Sequence, residues 1–260
     1  MHEKAILESK SYQIFRSNNE WLNTHIQLVD AALVNAIRTL KTYPKKEKSI
    51  GYALSSAEYE KYNCLNHPVR QYSPILRQSQ NRTIEFAICQ MYRHFIDYLH
   101  SIVYEMYKHN PRKVVEKLCT KDVTKSISFY DLIQLESFDK VEWHIVDTVF
   151  RGLENLRNTP KLLSKILICG GVEDKVKCKM SIEKVMRYLE LRHLYIHNKG
   201  KYDAKYVNNY SIYFAEKISE GNKISSTYTL FKSAQEEIFL LCSTIDKALL
   251  ENNMVSSRIR

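Results

Sequence analysis

The stretch TIEFAICQMYRHFIDYLHSIVYEMYK, residues 83–108, decides the fold class. Its apolar residues recur at steps of three and four, the spacing that aligns side chains along one face of an α-helix. The residues that form this face are Ile84, Ala87, Ile88, Met91, Phe95, Tyr98, Leu99, Ile102 and Met106. A stripe of this length predicts a long helix in the core.

Helical patterns continue on both sides of this stretch. Upstream, residues 3–40 predict one or two helices, whereas prolines, a glycine and a lysine run in residues 42–80 predict an irregular linker. Downstream, we expect helices over residues 112–118, 129–134, 140–158, 161–169, 182–198 and 229–251, with Ser181 as an N-cap and Gly170-Gly171 as a stop signal. Alternating apolar residues around a turn at 220–222 suggest a short β-hairpin within residues 210–227.

Composition supports a helical protein. Six glycines and five prolines in 260 residues leave few tight turns, which favours long helices over a many-stranded sheet. We therefore predict an all-α helical bundle, with an N-terminal helical arm and linker over residues 1–80 and a helical domain over residues 81–260. Trp21 and Trp143 are expected in the interior.

The net positive charge indicates which class of molecule could bind the protein. Lys and Arg outnumber Asp and Glu by 39 to 29, a formal charge of +10, which attracts polyanions such as RNA. A protein without a nucleic-acid partner can also be basic, so charge alone does not decide the matter.

The six cysteines and the N-terminus predict an intracellular protein. The cysteines form no Cys-x-x-Cys pair and no zinc-finger spacing, and we expect them to be reduced and buried. No signal peptide or apolar run of membrane-spanning length is apparent. The sequence therefore predicts a cytoplasmic protein without a membrane segment, metal or cofactor.

Residues 192–197, with the sequence RHLYIH, are the candidate active centre. The apolar stripe of the expected 182–198 helix continues through Arg192, His193, Ile196 and His197, which places ionisable groups where the core should be. Burying them is costly unless they line a wet cleft, a phosphate site or a subunit seam. The alternative is a partly exposed helix end whose Arg and His only cap carbonyl groups or pair with acids.

These residue types suit RNA cleavage. An imidazole titrates near neutral pH, so His197 can exchange a proton with a ribose 2′-hydroxyl or a leaving oxygen. Arg192 can hold the phosphate and stabilise its charge without a metal. Positions five apart lie about 140° apart on a helix. Convergence on one phosphate therefore needs a concave site, a frayed helix end or a second subunit.

The same residues resemble the signature of the HEPN superfamily: an Arg, a polar residue, three variable residues and a His. His193 fills the polar position, and the continuation from Asn198-Lys199-Gly200 to Tyr206 resembles HEPN proteins of microbial defence and toxin systems. Gly221 to Ile224 and the final helix through Asp246 fit the same layout. The resemblance covers roughly residues 187–247 and leaves residues 1–80 outside.

The resemblance implies an all-helical homodimer that cleaves RNA in a shared basic cleft, without metal, in antiviral defence or as a toxin. Arg192 and His197 would be catalytic, with His193 and Asn198 in support. RNA would be bound by Tyr195, Lys199, Lys201 and Tyr202. Other tyrosines near the motif, such as Tyr206, could also stack on RNA bases.

The sequence is also compatible with other interpretations. Arg93 and His100 satisfy a looser form of the signature on the long core helix. The chain could instead be a non-catalytic module that binds RNA or a protein, or a scaffold whose 1–80 arm docks a partner. An active ribonuclease would need a restraint: an inhibitory or sensor partner protein, the N-terminal arm or an infection trigger.

Overall fold

The computed structural model describes residues 7–54, 64–118, 129–154, 159–172, 175–214 and 216–259. Within these ranges the protein is all-α, as the sequence predicts, and its strands are limited to β1 (Leu7–Glu8) and β2 (Arg258–Ile259), which pair antiparallel. The helices are α1 (Lys10–Thr42), α2 (Ile50–Leu54), α3 (Tyr72–His109), α4 (Pro111–Leu118), α5 (Phe129–Gln134), α6 (Phe138–Glu154), α7 (Thr159–Cys169), α8 (Lys175–Leu189), α9 (Leu191–His197), α10 (Ala204–Tyr210) and α11 (Tyr228–Glu251).

Helix α3 is the central element. Its 38 residues span about 57 Å at the usual rise of an α-helix. Helix α1 runs antiparallel along it. The Ser11 N–H donates a hydrogen bond to the Glu105 carboxylate near one end, and the Gln80 side-chain amide donates one to the Asp30 carboxylate near the other. The predicted long core helix is confirmed, and α1 is a single helix.

The main core surrounds α3. Its fully buried side chains Phe95, Leu99 and Ile102 pack with residues of α1, α4, α6, α7, α8, α9 and α11 in one cluster. Each fully buried side chain of this size contributes about 1.5–3 kcal/mol. Phe15 of α1 lies in the same cluster, with its ring centroid 5.3 Å from that of Tyr98. The first half of α1 is thus part of the main core.

The segment expected to be an irregular linker is partly helical. Helix α3 already begins at Tyr72, because Pro74 stands in its first turn, where the missing N–H costs nothing. A second, smaller core of Leu40, Ile50, Val69 and Leu76 joins α1, α2 and α3. The expected boundary at residue 80 therefore falls inside α3.

Two local predictions near the candidate site are wrong. Ser181 is not an N-cap, because α8 begins at Lys175. The expected helix over residues 182–198 is interrupted by a turn at Glu190 and forms parts of two helices. The region expected to hold a β-hairpin begins with the last residue of α10, Tyr210, and a 3-10 turn over residues 211–213. Of its later residues that are described, Lys223 makes an isolated bridge with Lys201.

Other expectations about burial are only partly correct. Trp21 is 72% exposed and Trp143 is 45% exposed, so neither is an interior residue. Cys169 and Cys242 are buried as expected, whereas Cys89 is half-buried and Cys64 is exposed. Cys119, the side chain of Cys178 and residues 155–158, which were expected to continue a helix, lie outside the described part. No helix in the described ranges has both the length and the apolar character needed to cross a bilayer.

Candidate functional site

A turn at Glu190 separates α8 from α9. Glu190 donates its N–H to the carbonyl of Met186 and accepts from the N–H of His193, so it closes α8 and opens α9. The side of α9 that meets the core carries Leu191, Leu194 and Tyr195, all buried.

The opposite side of α9 faces solvent and carries the candidate motif. Arg192 is half-buried, His193 and His197 are exposed, and Ile196 is 51% exposed. On an ideal helix these four residues occupy an arc of about 140°. The expectation that they continue a core-facing stripe is wrong, because the buried residues of α9 are Leu191, Leu194 and Tyr195. The cost of burying them therefore does not arise.

His193 and His197 lie side by side on α9, four residues or about one helical turn apart. Their ring centroids are 4.9 Å apart, with an angle of 44° between the ring planes. One phosphodiester group held against this face could therefore meet two imidazoles. Such a pair can supply both a proton acceptor and a proton donor.

Arg192 is held by an aromatic ring. Its guanidinium carbon lies 4.7 Å from the ring centroid of Tyr92 on α3, a cation–π contact. Burial raises the pKa of the Tyr92 hydroxyl, an effect that the nearby positive charge of Arg192 opposes. No carboxylate of the described residues forms an ion pair with Arg192. Its guanidinium donors are thus not committed to an acid.

The chain leaves α9 through a tight turn that fixes the residues after the motif. Asn198 donates its side-chain amide to the carbonyl of Lys201 at 2.8 Å. Lys199 and Gly200 both have positive φ, 54° and 68°, and the Gly200 N–H donates to the carbonyl of Leu194. Left-handed backbone is uncommon for a lysine. Asn198 thus supports the turn, and Lys199 is exposed just beyond it.

The two tyrosines predicted to stack on RNA are core residues. Tyr195 and Tyr202 are each 8% exposed, and burial raises the pKa of both hydroxyls. The Tyr195 hydroxyl lies 3.1 Å from that of Ser226. Tyr206 is also buried and donates its hydroxyl to the carbonyl of Arg187. These rings hold the turn and α10 in place and offer no free face to a base. Lys201 is exposed, so its predicted role in RNA binding stays a prediction.

A cationic groove borders the motif. It is a cavity of about 550 Å³ between the first turns of α3 and residues 199–200 and 223–226. Its charged lining consists of Arg77, Arg82, Lys199, Lys223 and Glu85. Sequence reasoning missed Arg77, Arg82 and Lys223, because the first two stand in a segment expected to be a linker and the third in an expected hairpin. Only the folded chain places them beside Lys199.

The second motif-like pair does not form a site. Arg93 is exposed and lies beside Asp97, whereas the side chain of His100 is mostly buried next to Asp147. The His100 ring also contacts Trp143, with ring centroids 4.5 Å apart. The two side chains are thus placed in different environments.

In the described residues, no group of three or more His, Cys, Asp or Glu side chains is placed to hold a metal ion. No protein-family model, curated protein or solved structure matches this chain. The geometry of α9 and of the surfaces beside it, together with the motif resemblance, is therefore the basis for assigning a function.

Proposed function

We propose that this protein is an endoribonuclease of the HEPN type, with its active centre on the solvent-facing side of α9. The observation that carries the proposal is the paired imidazoles of His193 and His197, 4.9 Å apart, next to an arginine with no acidic partner in the described residues. The resemblance of residues 192–200 to the HEPN signature supports the same assignment.

The reaction follows from the groups present. His197 accepts the proton of the ribose 2′-hydroxyl, whose oxygen attacks the adjacent phosphorus atom. The P–O5′ bond breaks, the proton taken up by the His193–His197 imidazole pair passes to the leaving oxygen, and the products are a 2′,3′-cyclic phosphate and a 5′-hydroxyl. Arg192 stabilises the negative charge on the phosphate oxygens, while the Tyr92 ring limits its motion. His193 positions His197, and no step in this scheme requires a metal.

A second copy of the chain completes the site in this proposal. Ile196 lies between Arg192 and His193 on the outer arc of α9 and is half-exposed. A symmetric dimer would cover this isoleucine and bring the Arg and His residues of both copies together about one axis. The resulting cleft would be cationic and shared.

The cellular role proposed is antiviral defence or toxicity in the cytoplasm. A ribonuclease without a restraint would damage its own host. We therefore include an inhibitory or sensor partner protein, or a trigger produced during infection, in the proposal.

The test is cleavage of total RNA by the purified protein in excess EDTA. We expect fragments that end in cyclic phosphate, and we expect His197→Ala to abolish them without changing the melting temperature, because the side chain is exposed. His109→Ala is the matched control: this exposed histidine lies at the far end of α3, about 26 Å along the helix from Tyr92. Undiminished cleavage by His197→Ala would refute the assignment.

A non-catalytic RNA-binding module is the second candidate, and the cationic groove favours it. A binding module would shift RNA in a gel and leave it intact, with and without EDTA. It would also be indifferent to His197→Ala. The same experiment therefore separates the two functions.

A further inference from the structure

The cationic groove is built from two distant parts of the chain. Arg77 and Arg82 project from the first turns of α3, and Lys199 and Lys223 come from the loops after α9 and α10. Residues 72–82 belong to the part of the chain that the motif resemblance does not cover. Their contribution to a surface beside the motif is specific to this fold.

The charge of the groove is unbalanced. Arg82 is paired with Glu85 at 2.6 Å. Arg77, Lys199 and Lys223 have no ion-pair partner in the described ranges. Glu85, the acid of the lining, is thus already paired, and the three exposed cations without an ion pair give the groove a positive potential that attracts a polyanion. Phosphodiester groups fit this need because each carries one negative charge.

The groove and the motif are joined by short, fixed connections. The Ile224 N–H donates to the carbonyl of Gly200, and Lys201 and Lys223 form a bridge. Beneath them, the buried contact between Tyr195 and Ser226 connects the core side of α9 to the groove wall. Lys199 stands only two residues after His197. The position of the groove relative to the imidazoles is therefore set by the fold.

We propose that this groove binds the phosphodiester backbone of single-stranded RNA and guides the strand to the outer face of α9. Arg77 and Lys223 are binding residues in this role, with Lys199 at the junction with the motif. The inference deepens the proposed function and depends on it for the identity of the ligand. It also assigns a role in substrate binding to the N-terminal part of the chain.

The test measures binding separately from cleavage. A fluorescein-labelled strand of roughly 12 nucleotides, with 2′-deoxy sugars so that the nucleophile is missing, is titrated with the full-length protein across a range of salt concentrations. The variant is Arg77→Gln with Lys223→Gln, both exposed positions. The control is Arg112→Gln with Lys117→Gln on α4, which also removes one Arg and one Lys and lies roughly 40 Å along α3 from Arg82.

We expect the groove variant to bind on the order of tenfold more weakly and its salt slope to fall by about 1.4, since each lost contact to a single strand removes about 0.7. The α4 control should keep both values. A groove variant that binds the strand as tightly as the wild type and the control would overturn the inference. A wild-type protein that does not bind the strand would overturn it as well.

The same variants separate this inference from the proposed function. If the groove variant loses binding while intact RNA is never cleaved, RNA binding by the groove is supported and the ribonuclease assignment is refuted. If RNA is cleaved through His197 but the groove variant binds normally, the ribonuclease assignment is supported and RNA binding by the groove is refuted.

Discussion

The hydroxyl of Tyr195 lies 3.1 Å from the hydroxyl of Ser226, and this buried contact joins α9 to the wall of the cationic groove. Tyr195 therefore positions the motif helix from inside the core. A ring that stacked on RNA from the surface would have to be exposed, and this ring is 8% exposed.

Replacing Tyr195 with Phe tests this role. Tyr195→Phe removes one hydrogen bond and leaves the Ser226 hydroxyl short of a partner, so we expect a loss of about 1–2 kcal/mol in the free energy of unfolding. Denaturant unfolding measures it. Since Phe keeps an aromatic ring, a stacking role would instead leave both stability and RNA affinity unchanged.

The exposed Ile196 should be the apolar contact of a dimer. Ile196→Glu places a charge in the shared seam, and we expect it to convert the dimer into a monomer and to lower RNA cleavage with it. Size-exclusion chromatography with light scattering measures the mass. Ile168→Glu on α7 is the matched control, because Ile168 is 48% exposed, close to the 51% of Ile196. A wild-type protein that is monomeric at all concentrations would contradict the dimer.

The N-terminal helix should be indispensable for folding. Phe15 is 2% exposed in the main core, so Phe15→Ala should cost about 3–5 kcal/mol in the free energy of unfolding. Trp21→Ala, six residues along the same helix, should change it by no more than about 0.5 kcal/mol, because the indole is 72% exposed. Equal effects of the two variants would mean that α1 does not pack on α3 in this way.

This packing also bears on the idea that residues 1–80 restrain activity. Deleting residues 1–75 would remove Phe15 and Ile26 from the core and cut into the first turn of α3. An inactive truncated protein would then reflect unfolding. Surface variants on α1 are the better probe of a restraint.

Mild acid should destabilise the fold through His100. Burial lowers the pKa of His100, and the charge of Arg151 acts in the same direction, while Asp147 opposes both. With the folded-state pKa below the unfolded value of about 6.5, the unfolded chain binds the proton first as the pH falls. The stability due to neutral His100 is therefore complete above pH about 6.5 and is lost as the pH falls towards the lower, folded-state pKa.

Unfolding free energies measured between pH 7.5 and about 5 should show this loss. His100→Asn should flatten the acid side of the curve, and His94, whose pKa burial also lowers, should account for part of the remaining slope. His25→Asn, at an exposed position on α1, is the control and should leave the curve unchanged. A steeper curve in His100→Asn would contradict the sign of the effect.

The sequence predicted the helices that have strong periodic patterns. Residues 83–108 and 229–251 carry apolar stripes that match the buried faces of α3 and α11, and Pro111 marks the first turn of α4. Gly171, with a φ of 78°, ends α7 as expected of the glycine pair. Local patterns sufficed here because each one coincides with burial on one face.

The errors arose where tertiary contacts decided the outcome. The stripe of residues 182–197 looks continuous, yet a turn at Glu190 separates two helices, and the buried residues of the second helix do not include Arg192 or His197. Residues 72–80 contain a proline and polar residues, and packing of Leu76 on the smaller core makes them helical. The groove could not be predicted, because its arginines and lysines are more than one hundred residues apart in sequence.

The outward side of α9 carries almost none of the folding energy. His193, Ile196 and His197 could each be exchanged for another helix-forming residue with little effect on stability, since the helix is anchored by Leu191, Leu194 and Tyr195. Random change would therefore erase these three side chains unless something other than folding preserved them. Their persistence or loss among descendants of this gene would record selection for activity, separate from selection for a stable chain.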